Sequence, residues 1–353
     1  EALHRSGLLS YPAPMAWSPD GRVIVVLTNS KEGTLAYVAG SPEQMAFSIV
    51  WVDRDGGASP LWSEEGIYGT PALSPDGRRL AVAVLHEGHW DVWTYDMERE
   101  LATRLTFGDR YDADPVWSAD GEWIAFSSER DGAIGVYRKR SDGSGVAEAL
   151  HRSGLLSYPA PMAWSPDGRV IVVLTNSKEG GDDLMLLRLG VEDAVEPFQT
   201  MPFNERMADF SPDGRWIAYV SNETGRSEVY VGTYPPGGGK WQVSDTLGSQ
   251  PRWSASGREL FYRTADGLMV VDVETNGPGF RSSRPRPLFS GPFLGGIAGV
   301  TVPGMFFADY DVDGAGERFV MFRGAEDEVG TTTVHLVTGW FEELRSLTRS
   351  PAP

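Results

Sequence analysis

One short phrase, apolar-Ser-x-Asp-Gly, recurs along the whole 353-residue chain and constrains the fold more than any other feature. It reads Trp17-Ser18-Pro19-Asp20-Gly21, Leu73-Ser74-Pro75-Asp76-Gly77, Trp117-Ser118-Ala119-Asp120-Gly121, Trp164-Ser165-Pro166-Asp167-Gly168 and Phe210-Ser211-Pro212-Asp213-Gly214. Weaker forms are Trp253-Ser254-Ala255-Ser256-Gly257 and Val312-Asp313-Gly314. From Asp76 the steps to Asp120, Asp167, Asp213 and Ser256 are 44, 47, 46 and 43 residues. That is room for four strands of about five to six residues with their turns, the content of one propeller blade. Seven phrases predict a seven-bladed, all-β propeller of four-stranded antiparallel blades in one domain over residues 1–353. Six blades is the alternative if residues 1 to 33 dock irregularly.

Each phrase is read as the hairpin between a blade's first two strands. Pro presets φ, Asp bonds its own backbone, and Gly takes the positive φ that closes the turn. The strand that follows, such as Trp216-Ile217-Ala218-Tyr219-Val220, is apolar throughout because a blade packs between two neighbours. Its small Ala lets adjacent blades approach. A more alternating third strand follows, as in Asp91 to Asp96, and a short fourth such as Thr103 to Thr106 ends the blade. The Trp residues fall on these buried strands and are read as core. Trp340 to Leu347 reads as a short C-terminal helix, and Pro287 to Ala308, uncharged but rich in Gly and Pro, as a surface loop.

Composition narrows the partners. Lys and Arg total 31 against 49 Asp and Glu, a net charge of −18 that repels phosphate backbones and anionic lipid, so nucleic acid is not expected as a partner. With no cysteine, disulfides, thiol nucleophiles and zinc ribbons are excluded together. No apolar run suits membrane insertion by this segment, and a start at Glu1 suggests an excised or processed chain.

The repeats resemble those of TolB-like β-propellers. More narrowly, Gly33-Thr34-Leu35-Ala36-Tyr37-Val38, Val50 to Gly56, Phe210 to Val231 and Trp340-Phe341-Glu342-Glu343-Leu344 resemble the extracytoplasmic propeller of bacterial receptor-type serine/threonine protein kinases. That resemblance implies a sensor domain outside the cytoplasm. The kinase is not in this chain: His4-Arg5-Ser6 and His151-Arg152-Ser153 are not the His-Arg-Asp loop, and no Asp-Phe-Gly or Gly-rich phosphate loop occurs.

Residues 1–33 are identical to residues 148–180. Diverged blades share only the turn phrase and the apolar pattern, so this copy is recent or artificial. It runs from a fourth strand through a first to a second, offset from a blade by one strand. The C-terminal segments Phe306 to Tyr310, Arg318 to Phe322 and Thr332 to Val337 need a fourth strand, and residues 1 to 6 are the expected closure. Val23 to Leu27 and Thr34 to Val38 compete as second strand of the first blade.

Chemistry is sparse. His86 and His89 with Glu87 form a weak metal candidate in a hairpin loop. Asp309, Asp311 and Asp313 open a calcium-loop pattern, Asp-x-Asp-x-Asp-Gly, but Val320 stands where the closing Glu belongs, and the register coincides with a blade turn. No Gly-x-Ser-x-Gly elbow occurs. No catalytic residue and no cofactor are assigned, calcium remaining a minor option. A ring also offers a central mouth, lined just before each first strand by Thr70, Asp112, Asp114, Arg206, Asp209, Gln250, Arg252, Tyr310 and Asp311. Arg206 and Arg252 are its cations, able to fork onto a carboxylate. The expected function is non-enzymatic binding of a peptide, a small anionic ligand or a partner protein. The alternatives are a propeller hydrolase or lyase using mouth carboxylates, and a TolB-like envelope scaffold.

Overall fold

The computed structural model describes residues 46–291 and 308–324, leaving out 109–110, 131, 153–155, 157, 177–180, 192–193, 200 and 276–278, together with short strands at 16–17, 23–24, 27–29, 34–38 and 334–337. The expected terminal helix at Trp340 to Leu347 and the docking of residues 1 to 6 lie outside the described residues, as does most of the loop after Ser290. The start of that expected loop, Pro287 to Ser290, is strand instead, pairing with Gly267–Glu274. The chain divides into two compact units. Glu1–Ala46, Ile297–Phe306 and Gly324–Pro353 form one; Phe47–Gly296 and Phe307–Arg323 form the other.

The larger unit is all-β and propeller-like. Among its described residues are six four-stranded antiparallel sets. Blade I is Tyr310–Val312, Arg318–Gly324, Phe47–Asp53 and the first half of the long strand Ala58–Leu73, whose second half opens blade II with Arg79–His86, His89–Asp96 and Leu101–Arg104. Blade III is Asp112–Trp117, Trp123–Ser128, Gly135–Arg140 and Glu148–His151, and blade IV is Ala160–Trp164, Val170–Asn176, Asp182–Arg188 and Val195–Gln199. Blade V is Glu205–Phe210, Trp216–Ser221, Glu228–Thr233 and Lys240–Gln242. Blade VI is Ser249–Trp253, Glu259–Arg263, Gly267–Glu274 and Arg286–Ser290, with Arg281–Ser282 also on its third strand. The six first strands contact one another in chain order, and Tyr310–Val312 returns to Ala58–Leu73, closing the cycle.

Closure runs through Phe47–Asp53, the strand beside Arg318–Gly324, where the sequence suggests residues 1 to 6. Phe47–Asp53 is itself followed by an Asp-Arg-Asp-Gly turn, so it brings its own hairpin partner. The cores lie between blades, not within them. Trp216, Ala218 and Val220 pack on Trp253, Leu260 and Val271, and Ala125 and Val136 pack on Trp164, Ile171 and Val173. Ala81, Ala83, Ala125 and Ala218 on the second strands have no exposed surface, as close blade approach requires.

The turn phrase folds identically wherever it is described. In blade II, Ser74 O accepts Gly77 N–H at 2.8 Å, Ser74 Oγ donates to Asp76 Oδ1 at 2.6 Å, and Arg79 N–H donates to Ser74 Oγ at 2.9 Å. Gly77 lies at φ +69°. The Ser hydroxyl thus serves Asp and the returning strand together. In blade I the phrase is shifted from its sequence alignment: Asp313 takes the Ser place, its Oδ1 accepting Glu317 N–H at 2.9 Å, and Gly316, at φ +75°, donates its N–H to Asp313 O at 2.9 Å.

In the smaller unit Ala16–Trp17 pairs with Val23–Ile24, while Leu27–Asn29 pairs with Thr34–Val38, which in turn pairs with Val334–Val337. The candidate Val23 to Leu27 is thus divided, Val23–Ile24 pairing with Ala16–Trp17 and Leu27 opening the strand that pairs with the other candidate, Thr34–Val38. The seventh turn phrase belongs here, as the copy of the blade IV phrase, which is why seven phrases accompany six sets. The identical segments pair differently: Trp17 faces Val23, whereas Trp164 faces Ile171, the equivalent of Ile24, a slip of one residue.

The turn geometry separates two glycines. A Cβ on Gly77 or on Gly314 meets nothing within 4 Å, but only Gly77 has left-handed backbone. Gly77→Ala should therefore cost about 1–2 kcal/mol, and Gly314→Ala no more than about 0.5 kcal/mol. Urea titration of the two variants measures this, and equal losses would restore the sequence alignment of the last turn.

Candidate binding site

The first strands carry a repeated distortion. Thr70, Asp114, Met207 and Gln250, each four residues before the Ser of its phrase, have φ of +46°, +55°, +53° and +52°. At each the register with the second strand shifts, the mark of a bulge. Left-handed backbone at residues other than Gly costs energy and has to be held by its surroundings. Three of these residues precede Pro in sequence, at Pro71, Pro115 and Pro251.

Asp209, two residues after the Met207 bulge, and Asp311, at the equivalent place in blade I, reach the next blade with their side chains. Asp209 Oδ2 accepts Trp253 N–H at 2.8 Å, and Asp311 Oδ2 accepts Leu73 N–H at 2.7 Å. These clasp blade V to VI and blade I to II at equivalent backbone positions. Between blades II and III the bond reverses: Trp117 Nε1–H donates to Ala72 O at 2.9 Å.

The predicted mouth residues fall into four groups. Asp209, Arg252 and Asp311 form one, with Arg252 Nε 3.6 Å from Asp311 Oδ1 and Asp209 adding attraction. Gln250 and Tyr310 adjoin it: Gln250 Oε1 accepts Asp309 N–H at 2.8 Å, and Tyr310 OH donates to Gln250 O at 2.8 Å. Thr70 and Asp114 form the second, where Thr70 Oγ1, Tyr111 OH and Ser127 Oγ donate to the Asp114 carboxylate at 3.4, 3.2 and 2.9 Å. Asp112 is instead held by Arg130 Nη2 at 3.1 Å. Arg206 pairs with Asp182 of blade IV, its Nε 2.5 Å from Asp182 Oδ2. The two arginines thus face different carboxylates, and neither offers an uncompensated charge.

The metal candidates also separate. Asp309 faces Arg263 Nε at 3.5 Å, Asp311 serves Leu73 and Arg252, and Asp313 caps its turn. Only Asp311 lies on the strand Tyr310–Val312, and each of the three carboxylates is taken by a different partner, so the calcium-loop pattern does not converge. His86 and His89 face each other across a two-residue turn with Glu87 and Gly88 at positive φ, and His86 Nδ1 lies 3.9 Å from Glu87 Oε2. Among the described residues no three His, Cys, Asp or Glu side chains are grouped to hold a metal.

The sequence did not reveal Asp182, Arg130, Arg263 or Ser127 as partners, because each comes from another strand or blade, nor Tyr111, which stands just before the strand of its partner Asp114. One signal was available: Asp112 opposite Ser128 and Glu205 opposite Ser221 occupy the same cross-strand place in blades III and V.

Residues 17–159 match the family model described as TolB beta propeller domain. An uncharacterized protein of Agrobacterium fabrum is 29% identical over 247 residues, covering 58% of this chain and 82% of that protein. The Tol-Pal system protein TolB of Helicobacter pylori is 28% identical over 159 residues, 45% of this chain and 38% of TolB. Among solved structures, a TolB candidate from Agrobacterium tumefaciens aligns with TM-score 0.61 at 19% identity, covering 80% of this chain and 99% of that one. An oligogalacturonate lyase from Vibrio parahaemolyticus aligns with TM-score 0.52 at 9% identity, covering 88% and 84%. The chain is thus similar to TolB-like β-propellers in part of its sequence and in its fold. No helix among the described residues is long and apolar enough to cross a membrane.

Burial pushes the Asp114 and Asp209 carboxyls up to about 6, against hydrogen bonds and, for Asp209, Arg252 that pull the other way. Groups raised above their unfolded value of about 3.9 stabilise the fold fully below that pH and lose this contribution as pH rises through about 6. The turn carboxylates Asp76, Asp120 and Asp167 are lowered by their Ser hydrogen bonds, and their contribution is lost only in stronger acid. The melting temperature should therefore rise as pH falls from 7.5 to 5 and drop again below about 4. In Asp209→Asn the rise between pH 7.5 and 5 should be smaller, and an unchanged slope would show that Asp209 is ionised throughout.

Proposed function

We propose that this chain is a non-enzymatic binding propeller, the sensing part of a bacterial receptor-type serine/threonine kinase, acting outside the cytoplasm on a protein or peptide partner. The observation that carries this reading is the use of the first-strand carboxylates. A general base needs a pKa near working pH and an oxygen aimed at its substrate. Asp114 and Asp209 have such a pKa, but their oxygens are engaged by Thr70, Tyr111 and Ser127 or by the Trp253 N–H. They hold blades together. The likeness to TolB, a Tol-Pal system protein in Helicobacter pylori, supports an interaction role and an envelope location. Six four-stranded sets with a closed cycle of first strands support a six-bladed ring over a seven-bladed one.

The coding region on the N-terminal side of Glu1 tests the kinase reading: a kinase domain followed by a membrane-spanning segment is expected, and a different upstream domain overturns it. The enzymatic alternative is tested with polygalacturonate, given the lyase likeness in fold. No turnover is expected from the intact chain, with or without calcium, and turnover abolished in Asp209→Asn would replace binding with catalysis as the function.

A further inference from the structure

The pairing of Arg206 with Asp182, and of Arg252 with Asp209 and Asp311, leaves the mouth without a cation for an anionic ligand. The junction of blades II and III differs. Arg104, Arg130 and Lys139 gather there around two buried carboxylates, Asp91 and Asp112, in a chain whose net charge is −18. Arg104 Nη2 is 2.6 Å from Asp91, and Arg130 holds Asp112. Lys139 is the cation in excess: its Nζ donates to a carbonyl, Leu105 O, at 2.8 Å. Burial and the Arg130 charge push its pKa down while Asp112 pushes it up, the net shift being downward.

In the same connector between blades stands Phe107, 68% exposed. Its ring centroid is 5.2 Å from Arg104 Cζ and 5.6 Å from Lys139 Nζ. The ring is thus pinned by cations from two blades with most of its surface still in water. The internal contacts account for the cations' placement but not for the open ring.

From this geometry, and resting on the binding reading above, we infer that Phe107, Lys139 and Arg104 form a site for an aromatic carboxylate. Phe107 supplies a stacking surface, Lys139 the charge, and Arg104, held by Asp91, fixes the ring from beside it. Two sources carry this chemistry: the free C-terminus of a peptide ending in an aromatic residue, or a small aromatic acid.

Calorimetry on the full chain with N-acetyl-Ala-Ala-Phe, its C-terminal amide, and N-acetylphenylalanine tests the site. The free acids should bind, and the amide about tenfold more weakly, the value of one charge-assisted contact. Tighter binding of the tripeptide than of N-acetylphenylalanine assigns a peptide terminus, and equal binding assigns a small acid. Phe107→Ala and Lys139→Gln should each weaken binding of the acids at least fivefold, with melting curves confirming that both variants fold. No binding by the parent, an amide as good as the acid, or either variant binding like the parent overturns the site. Capture of a partner protein by a Phe107→Ala variant as by the parent would overturn it while leaving the binding reading intact, whereas turnover of polygalacturonate would overturn that reading.

Discussion

The backbone pairing of Arg318–Gly324 with Phe47–Asp53 is the contact on which the ring depends. A four-stranded blade exposes two apolar faces and cannot bury either alone. Phe47–Asp53 contributes to both of its neighbouring cores: Val50 and Val52 pack with Phe261 and Phe319, and Ile49 packs with Leu80 and Val320. Opening the ring at this strand would wet two cores at once. Arg54, just past the strand, secures the same place, with Nη2 2.7 Å from Glu259 Oε1 and Nη1 2.7 Å from Gly316 O, joining blade I to blade VI.

The interior of the ring is held by polar contacts that apolar packing alone would not supply. Asp209, beside the left-handed bulge at Met207, and Asp311, in an unbulged first strand, each meet a backbone N–H of the following blade. Each such carboxylate satisfies a buried donor that would otherwise stand unpaired, at the cost of its own desolvation. The acidic exterior and these buried acids therefore have separate origins: one favours solubility, the other fixes how blades are rotated against each other.

Much of this was legible in the sequence because the turn phrase is a local device. Ser, Asp and Gly make their bonds within six residues, so the parts played by Ser74, Ser118, Ser165 and Ser211 follow from their immediate neighbours alone. The last turn was misaligned because Asp313 can play either the Ser or the Asp part, and only the positive φ of Gly316 decides. The first-strand positions were readable by their offset from the phrase, yet what they do was not. Arg206 turned to Asp182 and Asp112 to Arg130, partners 24 and 18 residues away that no periodicity links. Phe107 stood in a connector with no motif at all.

The identical segments 1–33 and 148–180 carry a consequence for how the ring is assembled. Every bond that Glu148–His151 and Ala160–Asn176 make in blades III and IV is one their copy has the side chains to make. Recognition by sequence therefore cannot choose between them; connectivity does. Glu148 follows Arg140 after seven residues, 141–147, whereas about 130 residues separate the copy from the same strand. For a twentyfold difference in loop length the closure entropy favours the near segment by about 2–3 kcal/mol. The occupant of that slot is set by the length of its tether, and a circular permutation that shortened the tether of the first copy would hand the place to it.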